Sequence, residues 1–257
     1  MRRVRYRFAE EDRFGQIKDN VIEELDGSYL AGNPLPTGKR IPLDDARLLC
    51  PTLPTKVICV GLNYRDHAEE MGVSLPDEPC LFMKPETSVI GPDDEIVHPA
   101  MTQRMDYEAE LGIVIGQPLH HADTETVRHG ILGYTCVNDV TARDLQTRDG
   151  QWTRAKGFDT FCPIGPWIVD EVNPDRLDIS LHLNGDIRQQ SNTRQFVCSA
   201  LELVGFISRI MTLRPGDVVA TGTPAGIGPM RPGDQVEVRI EGIGSLRNTV
   251  VSDGEPT

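Results

Sequence analysis

The chain has 257 residues, enough to bury a sizeable core without disulfides, and its 39% hydrophobic and 25% charged content is that of an ordinary folded protein rather than a disordered or membrane one. A net charge of −13, with no cluster of Lys and Arg, excludes a nucleic-acid surface and means that an anionic substrate needs local cations or a metal to hold it. The start, "MRRVRYRFAEEDRFG", lacks an apolar signal core and no later run nears about 18 apolar residues, so the sequence predicts a cytoplasmic protein with no membrane partner.

Residues 1 to about 50 carry short alternating patches, "RVRYRFA" and "QIKDNVIEEL", broken by Gly, Asn and Pro, which predicts a small β-rich N-terminal domain. The two prolines of "LLCPTLPTK" mark a linker, placing domains at 1–54 and 55–257. Short apolar strands follow: "KVICVGLNY", "PCLFMKP", "ELGIVIG", "GYTCVNDV", "GPWIVD", "ISLHLNG", "GDVVATGTP" and "DQVEVRIEGIG". Only "YRDHAEEMG", "TETVRHGIL" and "SALELVGFISRIMTL" have helical periodicity, so the expected class is α+β, mostly β with few helices. The six cysteines form no C-x-x-C pair and read as buried reduced thiols.

In "MDYEAELGIVIG" the alternation of a strand puts Asp106, Glu108 and Glu110 on one face and Tyr107 and Ala109 on the other. Several carboxylates at a core edge repel one another unless something positive compensates them, and a hard divalent cation such as Mg²⁺ does so with oxygen ligands. Taken alone, the segment reads better as an exposed strand whose acids meet solvent or Arg104, because Glu-x-Glu is a common tripeptide. Downstream, an apolar strand ends at Asp139, followed by Arg143, Asp144 and Gln146, and then by Lys156 between Trp152 and Phe158. Arg143 offers a planar fork for a carboxylate and Lys156 a compact charge; each could also be a solvated surface residue.

The ordered set "GLNYRDHAEEMG", "FMKP", "DYEAELGIVIG", "GYTCVNDVTARDLQ", "QWTRAKGFDTFCPIGPWI", "LNGDIRQQSNT" and "GDVVATGTPAGIG" resembles the fumarylacetoacetate hydrolase family over about residues 56 to 250, near its short bacterial acylpyruvase-like and isomerase/decarboxylase members. The resemblance implies a mixed β-sheet roll, usually in a homodimer, with Mg²⁺ (Mn²⁺ or Ca²⁺ as substitutes) held by Glu108, Glu110 and Asp139. Asp106 matches no ligand and is expected to be a supporting or solvent-facing group. His67 and Glu70, three apart on one helix face, match the family's water-activating pair. Lys156 matches the lysine that stabilises an enolate, Arg143 and Gln146 match positions near the substrate's carbonyl and carboxylate end, and Thr223 matches a threonine that contacts the carboxylate. Gly222, Gly226 and Gly228 read as turn formers, since their spacing is not that of a phosphate cradle.

Membership of that family would make the chain an enzyme that acts on a small 2-oxo or 2-hydroxy-dienoic (di)carboxylic acid through a metal-bound enolate, by hydrolysis, decarboxylation or isomerisation, as in aromatic-compound catabolism. Oxaloacetate decarboxylation or tautomerisation is an alternative within the same chemistry. A metal- or ligand-binding protein without turnover is an alternative of another class, disfavoured because a binder has no use for the His67–Glu70 base.

Overall fold

Val4 and Tyr6 alternate with arginines, and this period of two builds the first strand of the computed structural model, which describes residues 1–254. The N-terminal strands are β1 (Arg2–Phe8), β2 (Glu11–Lys18), β3 (Val21–Leu25), β4 (Pro36–Pro42) and the two-residue β5 (Arg47–Leu48). Next come β6 (Val57–Gly61), α1 (Arg65–Met71), β7 (Cys80–Lys84), β8 (Val89–Ile90), β9 (Glu95–His98), β10 (Met105–Tyr107), β11 (Ala109–Ile115), α2 (Thr124–Gly130), β12 (Ile131–Asn138) and β13 (Thr141–Ala142). Helices α3 (Arg143–Asp149) and α4 (Thr153–Lys156) precede β14 (Cys162–Val169), β15 (Asp178–Leu183), β16 (Asp186–Asn192) and α5 (Ala200–Ile210). The chain ends with β17 (Val218–Ala220), β18 (Gly228–Met230), β19 (Gln235–Ile240) and β20 (Gly244–Ser252).

The largest sheet runs β4-β3-β2-β1-β14-β12-β11-β17-β6-β7, with β5 and β8 beside it. A five-stranded sheet, β16-β15-β19-β20-β9, packs across β11, β12 and β14, and a small third sheet, β13-β10-β18, contacts α3 and α4 through β13. Most pairings are antiparallel, but β17–β6, β14–β8 and β20–β9 are parallel, so the sheets are mixed. The mostly-β reading with a small N-terminal domain holds. That domain's strands extend the large sheet rather than standing apart, because β1 pairs with β14 through Arg2 opposite Val169 and Arg3 opposite Ile168.

Two helices that periodicity does not reveal, α3 and α4, lie between Asp139 and β14. They are seven and four residues long and bury little apolar surface, Leu145 in one and Ala155 in the other, so no stripe marks them in the sequence. By contrast α5 buries Leu203, Val204 and Ile207 along one face and starts at a Ser199–Glu202 capping box, which is why its periodicity is plain. The thiol reading needs a correction: Cys50, Cys59, Cys136 and Cys162 are buried, but Cys80 is exposed on the edge strand β7 and Cys198 is partly exposed. Among the described residues no helix is long and apolar enough to cross a membrane.

Candidate active site

The acidic segment is not one strand. Met105 to Tyr107 pair in the small sheet and Ala109 to Ile115 in the large one, so the chain changes sheets at Glu108. Asn138 stabilises the crossing by accepting the Glu108 amide at 3.0 Å, while the Asp139 amide donates to the Glu108 carbonyl at 2.9 Å. The row of acids survives this change. Tyr107 and Ala109 point into the hydrophobic core, and Glu108, Glu110 and Asp139 bring one carboxylate oxygen each within 4.8 Å of one another, all three side chains buried.

Cations surround this triad. Lys156 Nζ, itself buried, donates to Glu108 Oε2 at 2.8 Å and to Asp139 Oδ2 at 2.5 Å. Arg143 contacts Glu108 through Nη2, Asp106 Oδ2 through Nε at 2.9 Å and Gln146 Oε1 through Nη1 at 2.6 Å. Burial alone would raise the Glu108 carboxyl, but Lys156 and Arg143 more than offset it and hold it at about 2. The same logic in reverse keeps Lys156 charged: burial opposes the ammonium, yet Asp139 and Glu108 raise it above the ordinary lysine value.

Glu110 differs. Burial pushes its carboxyl well above the usual carboxylate range, and the charges of Asp139 and Glu108 push the same way. Its hydrogen-bond donor among the described residues is the Gly222 amide at 2.9 Å, with no cation against it. Three converging oxygens with one left uncompensated are the donor set of a hard divalent ion, so the residues present fit such a metal.

Asp106 is fully buried, which removes the solvent-facing alternative for it. It accepts Arg104 Nε at 2.9 Å as well as Arg143, and so acts on the triad only through Arg143. Lys84 is a residue of this cluster that sequence reasoning missed. It lies in the "FMKP" segment, is 1% exposed, contacts Asp139 Oδ1 and donates to the Val140 carbonyl at 2.9 Å. A lysine at the end of an edge strand gives no sign of burial; only the tertiary pairing does.

The helix α1 sits over the same cavity, with His67 buried and its Nδ1 3.1 Å from Glu70 Oε2. Glu70 also accepts the Gly226 amide at 3.0 Å, so one turn, Thr221 to Gly228, anchors both Glu110 and Glu70 through backbone amides. Gly222 and Gly226 have φ of +93° and +97°, and a Cβ at Gly226 would meet the Arg188 carbonyl at 2.4 Å, so these turn glycines also aim their amides. Thr223 Oγ1 accepts Gln189 Nε2 at 2.8 Å, and Gln189 in turn accepts the Ala109 amide at 2.9 Å, tying the turn to β11. Asn63 bonds the Thr221 carbonyl at 2.9 Å and the Cys198 amide at 2.8 Å, fixing the base of α1. Neither Gln189 nor Asn63 stands out in the sequence, since each acts on backbone far away in the chain. The structure thus brings His67, Glu108, Glu110, Asp139, Arg143, Gln146, Lys156 and Thr223 to one cavity of about 180 Å³, with Glu70 directly behind His67.

Comparison with known proteins agrees with this architecture. Residues 56–251 match the model of the "Fumarylacetoacetate (FAA) hydrolase C-terminal" family, and residues 1–51 match "Rv2993c-like, N-terminal". A protein of Archaeoglobus fulgidus is 52% identical over 92% of this chain and 93% of its own length. The mitochondrial oxaloacetate tautomerase Fahd2a of Rattus norvegicus is 43% identical over 82% of this chain and 71% of its own. Among solved structures, 2-hydroxyhepta-2,4-diene-1,7-dioate isomerase from Mycobacterium marinum superposes with a TM-score of 0.92 at 44% identity, covering 99% of this chain and 100% of that one. With most of its length matched in sequence and in structure, the chain belongs to the fumarylacetoacetate hydrolase family.

Proposed function

We propose that the protein is a Mg²⁺-dependent enzyme that converts a small 2-oxo or 2-hydroxy-dienoic acid through its enolate, by C–C bond cleavage or isomerisation. The observation that carries this reading is the convergence of the buried triad Glu108, Glu110 and Asp139 with Lys156 and with His67, which Glu70 orients. A divalent cation on the triad would attract the acid's carboxylate and 2-oxo oxygens and polarise the carbonyl.

The chain's own residues supply the rest. With Nδ1–H held by Glu70, His67 presents Nε2 as the base that takes a proton from water. In hydrolysis of an acylpyruvate, that water's oxygen bonds to the remote carbonyl carbon and the C–C bond breaks. Its electron pair passes into the pyruvate enolate, and the enolate carbon then takes up the proton that His67 had removed from the water, which restores the base. In this reading Lys156 stabilises the developing enolate charge, and its burial supports that role by strengthening the electrostatic effect. Arg143, Gln146 and Thr223 orient the carboxylate end. A cytoplasmic homodimer acting in aromatic-compound catabolism goes with this reading, and light scattering tests the assembly.

Turnover by the Mg²⁺-loaded protein of an acylpyruvate, oxaloacetate or a hydroxy-dienedioate, stopped by EDTA, is the expected result; inactivity across the whole panel refutes an enzyme of this class. Oxaloacetate tautomerisation is the second reading, favoured by the 43% identical rat relative. His67→Ala separates the two, because it should remove hydrolysis and decarboxylation while leaving binding and keto–enol exchange. If cleavage survives the substitution, His67 is not the base.

A further inference from the structure

Two hollows meet at one pair of rings. The cavity over the triad, about 180 Å³, and a neighbouring cleft of about 720 Å³ have two lining residues in common, Phe82 and Trp152. The cleft runs between the edge strand β7 and the turn at residues 150–153. The two rings meet edge to face with centres 5.0 Å apart, and both side chains are half-buried, as a partition with a face toward each hollow must be. Gly61 seats the indole, since a Cβ there would lie 3.2 Å from its ring.

The pair is fixed relative to the charged cluster. Alternation in β7 turns Phe82 and Lys84 to the same side, where Lys84 contacts Asp139 and the centre of the Phe82 ring lies 4.9 Å from Lys156 Nζ. Trp152 stands four residues before Lys156, whose amide donates to the Trp152 carbonyl at 3.0 Å, so the indole and the ammonium lie on one side of α4. A molecule held at the triad beside Lys156 therefore meets Trp152 within the rise of one helical turn, about 5 Å. Clefts that take larger ligands hold roughly 300–1,000 Å³. The cavity falls below that range and the cleft within it, so the indole separates room for a few heavy atoms from room for a much longer molecule.

We infer that Trp152 sets the specificity of the site by length: it closes the far end of the cavity and limits how far an acid anchored at the triad can extend, and the cleft behind it is the space that its removal would open. The inference rests on the proposed reading that a 2-oxo acid is anchored at the triad, and it concerns the length of that acid, not the groups its far end bears. The ring is packed between Phe82 and Gly61, so it cannot yield to a longer molecule without displacing them, and excess length costs affinity.

The test is calorimetric binding of 2-oxopentanoate and 2-oxononanoate, which share the 2-oxo acid head and differ in length, to the Mg²⁺-loaded protein. The native protein should bind the shorter acid at least tenfold more tightly than the longer one. Trp152→Ala should tighten 2-oxononanoate at least tenfold while leaving Mg²⁺ and 2-oxopentanoate within about threefold, and Trp152→Phe, with its smaller ring, should fall between. Trp152→Leu takes the place of the alanine variant if that one does not fold. Equal binding of the two acids by the native protein overturns the inference, because the longer one would then leave past Met71 and Val73 at the cavity's exposed rim. So does a truncated Trp152 that weakens both acids alike, which is the mark of a merely structural ring. If neither acid binds, or if binding is unaffected by Asp139→Ala, the 2-oxo-acid reading itself fails and this inference with it.

Discussion

Buried carboxylates in one small volume are tolerated here because each has a different compensation. Asp106 has two arginines, Glu108 an arginine and a lysine, Asp139 two lysines, and Glu110 a backbone amide alone. The differences make the residues separable by experiment. Glu108→Ala or Asp139→Ala should weaken Mg²⁺ binding by more than about a hundredfold in calorimetry, whereas Asp106→Asn, acting only through Arg143, should cost about tenfold or less. The same Asp106→Asn variant should lose about 1.5 kcal/mol of stability in urea unfolding, since Arg143 loses one of its two carboxylates while keeping Glu108, and Arg104 can turn to solvent. Equal metal-affinity losses for all three would show that Asp106 is a ligand after all. Glu108, Glu110 and Asp139 were legible in the sequence because residue order alone preserves their motifs. Lys84 was not, because its burial depends on β7 lying beside β6 and facing Asp139 from 55 residues away.

At the scale of elements, the turn from Thr221 to Gly228 links two features that look unrelated in sequence, the buried triad's Glu110 and the helix carrying His67. Gly226→Ala tests that link. Its positive φ and the 2.4 Å approach to the Arg188 carbonyl leave no room for a methyl, so about 2 kcal/mol of stability should be lost. Hydrolysis should fall further than Mg²⁺ binding does, because Glu70 loses its amide while Glu110 keeps Gly222. An equal fall in both would mean that the turn acts as one rigid support with no separate role for Glu70. The strands were legible because they are apolar and bounded by Gly or Pro. Helices α3 and α4 were not, since they are held by Arg143 and Lys156 reaching into the acidic cluster rather than by an apolar face. The site's own ion pairs thus order the segment that carries Arg143, Gln146 and Lys156.

Over the whole molecule, the N-terminal strands share both a sheet and a core with the rest. Tyr29 and Cys50 are buried in one cluster with Val57, Val114, Val137, Ile164 and Ile168, and Phe14, Leu25 and Leu30 pack against it. Tyr29 also donates its hydroxyl to the Pro51 carbonyl at 2.6 Å. A linker was legible in the two prolines, but this shared core was not, because nothing in the local pattern tells which apolar residues of the first 50 face the body. Burial would raise the Glu24 carboxyl, yet Arg13 and Lys39 hold it below the usual glutamate value. Its contribution to stability is therefore complete at neutral pH and fades as pH falls below about 4 toward the lowered value, so Glu24→Gln and the native protein should converge in acid. The shared core makes a stronger demand. Calorimetry should record a single unfolding transition, and Tyr29→Ala should shift all of it by about 3 kcal/mol, because the cavity opens against the body's own strands as well as the N-terminal ones. Two resolved transitions, with Tyr29→Ala moving only the lower, would instead make the N-terminal strands an independently folding unit that merely extends the sheet.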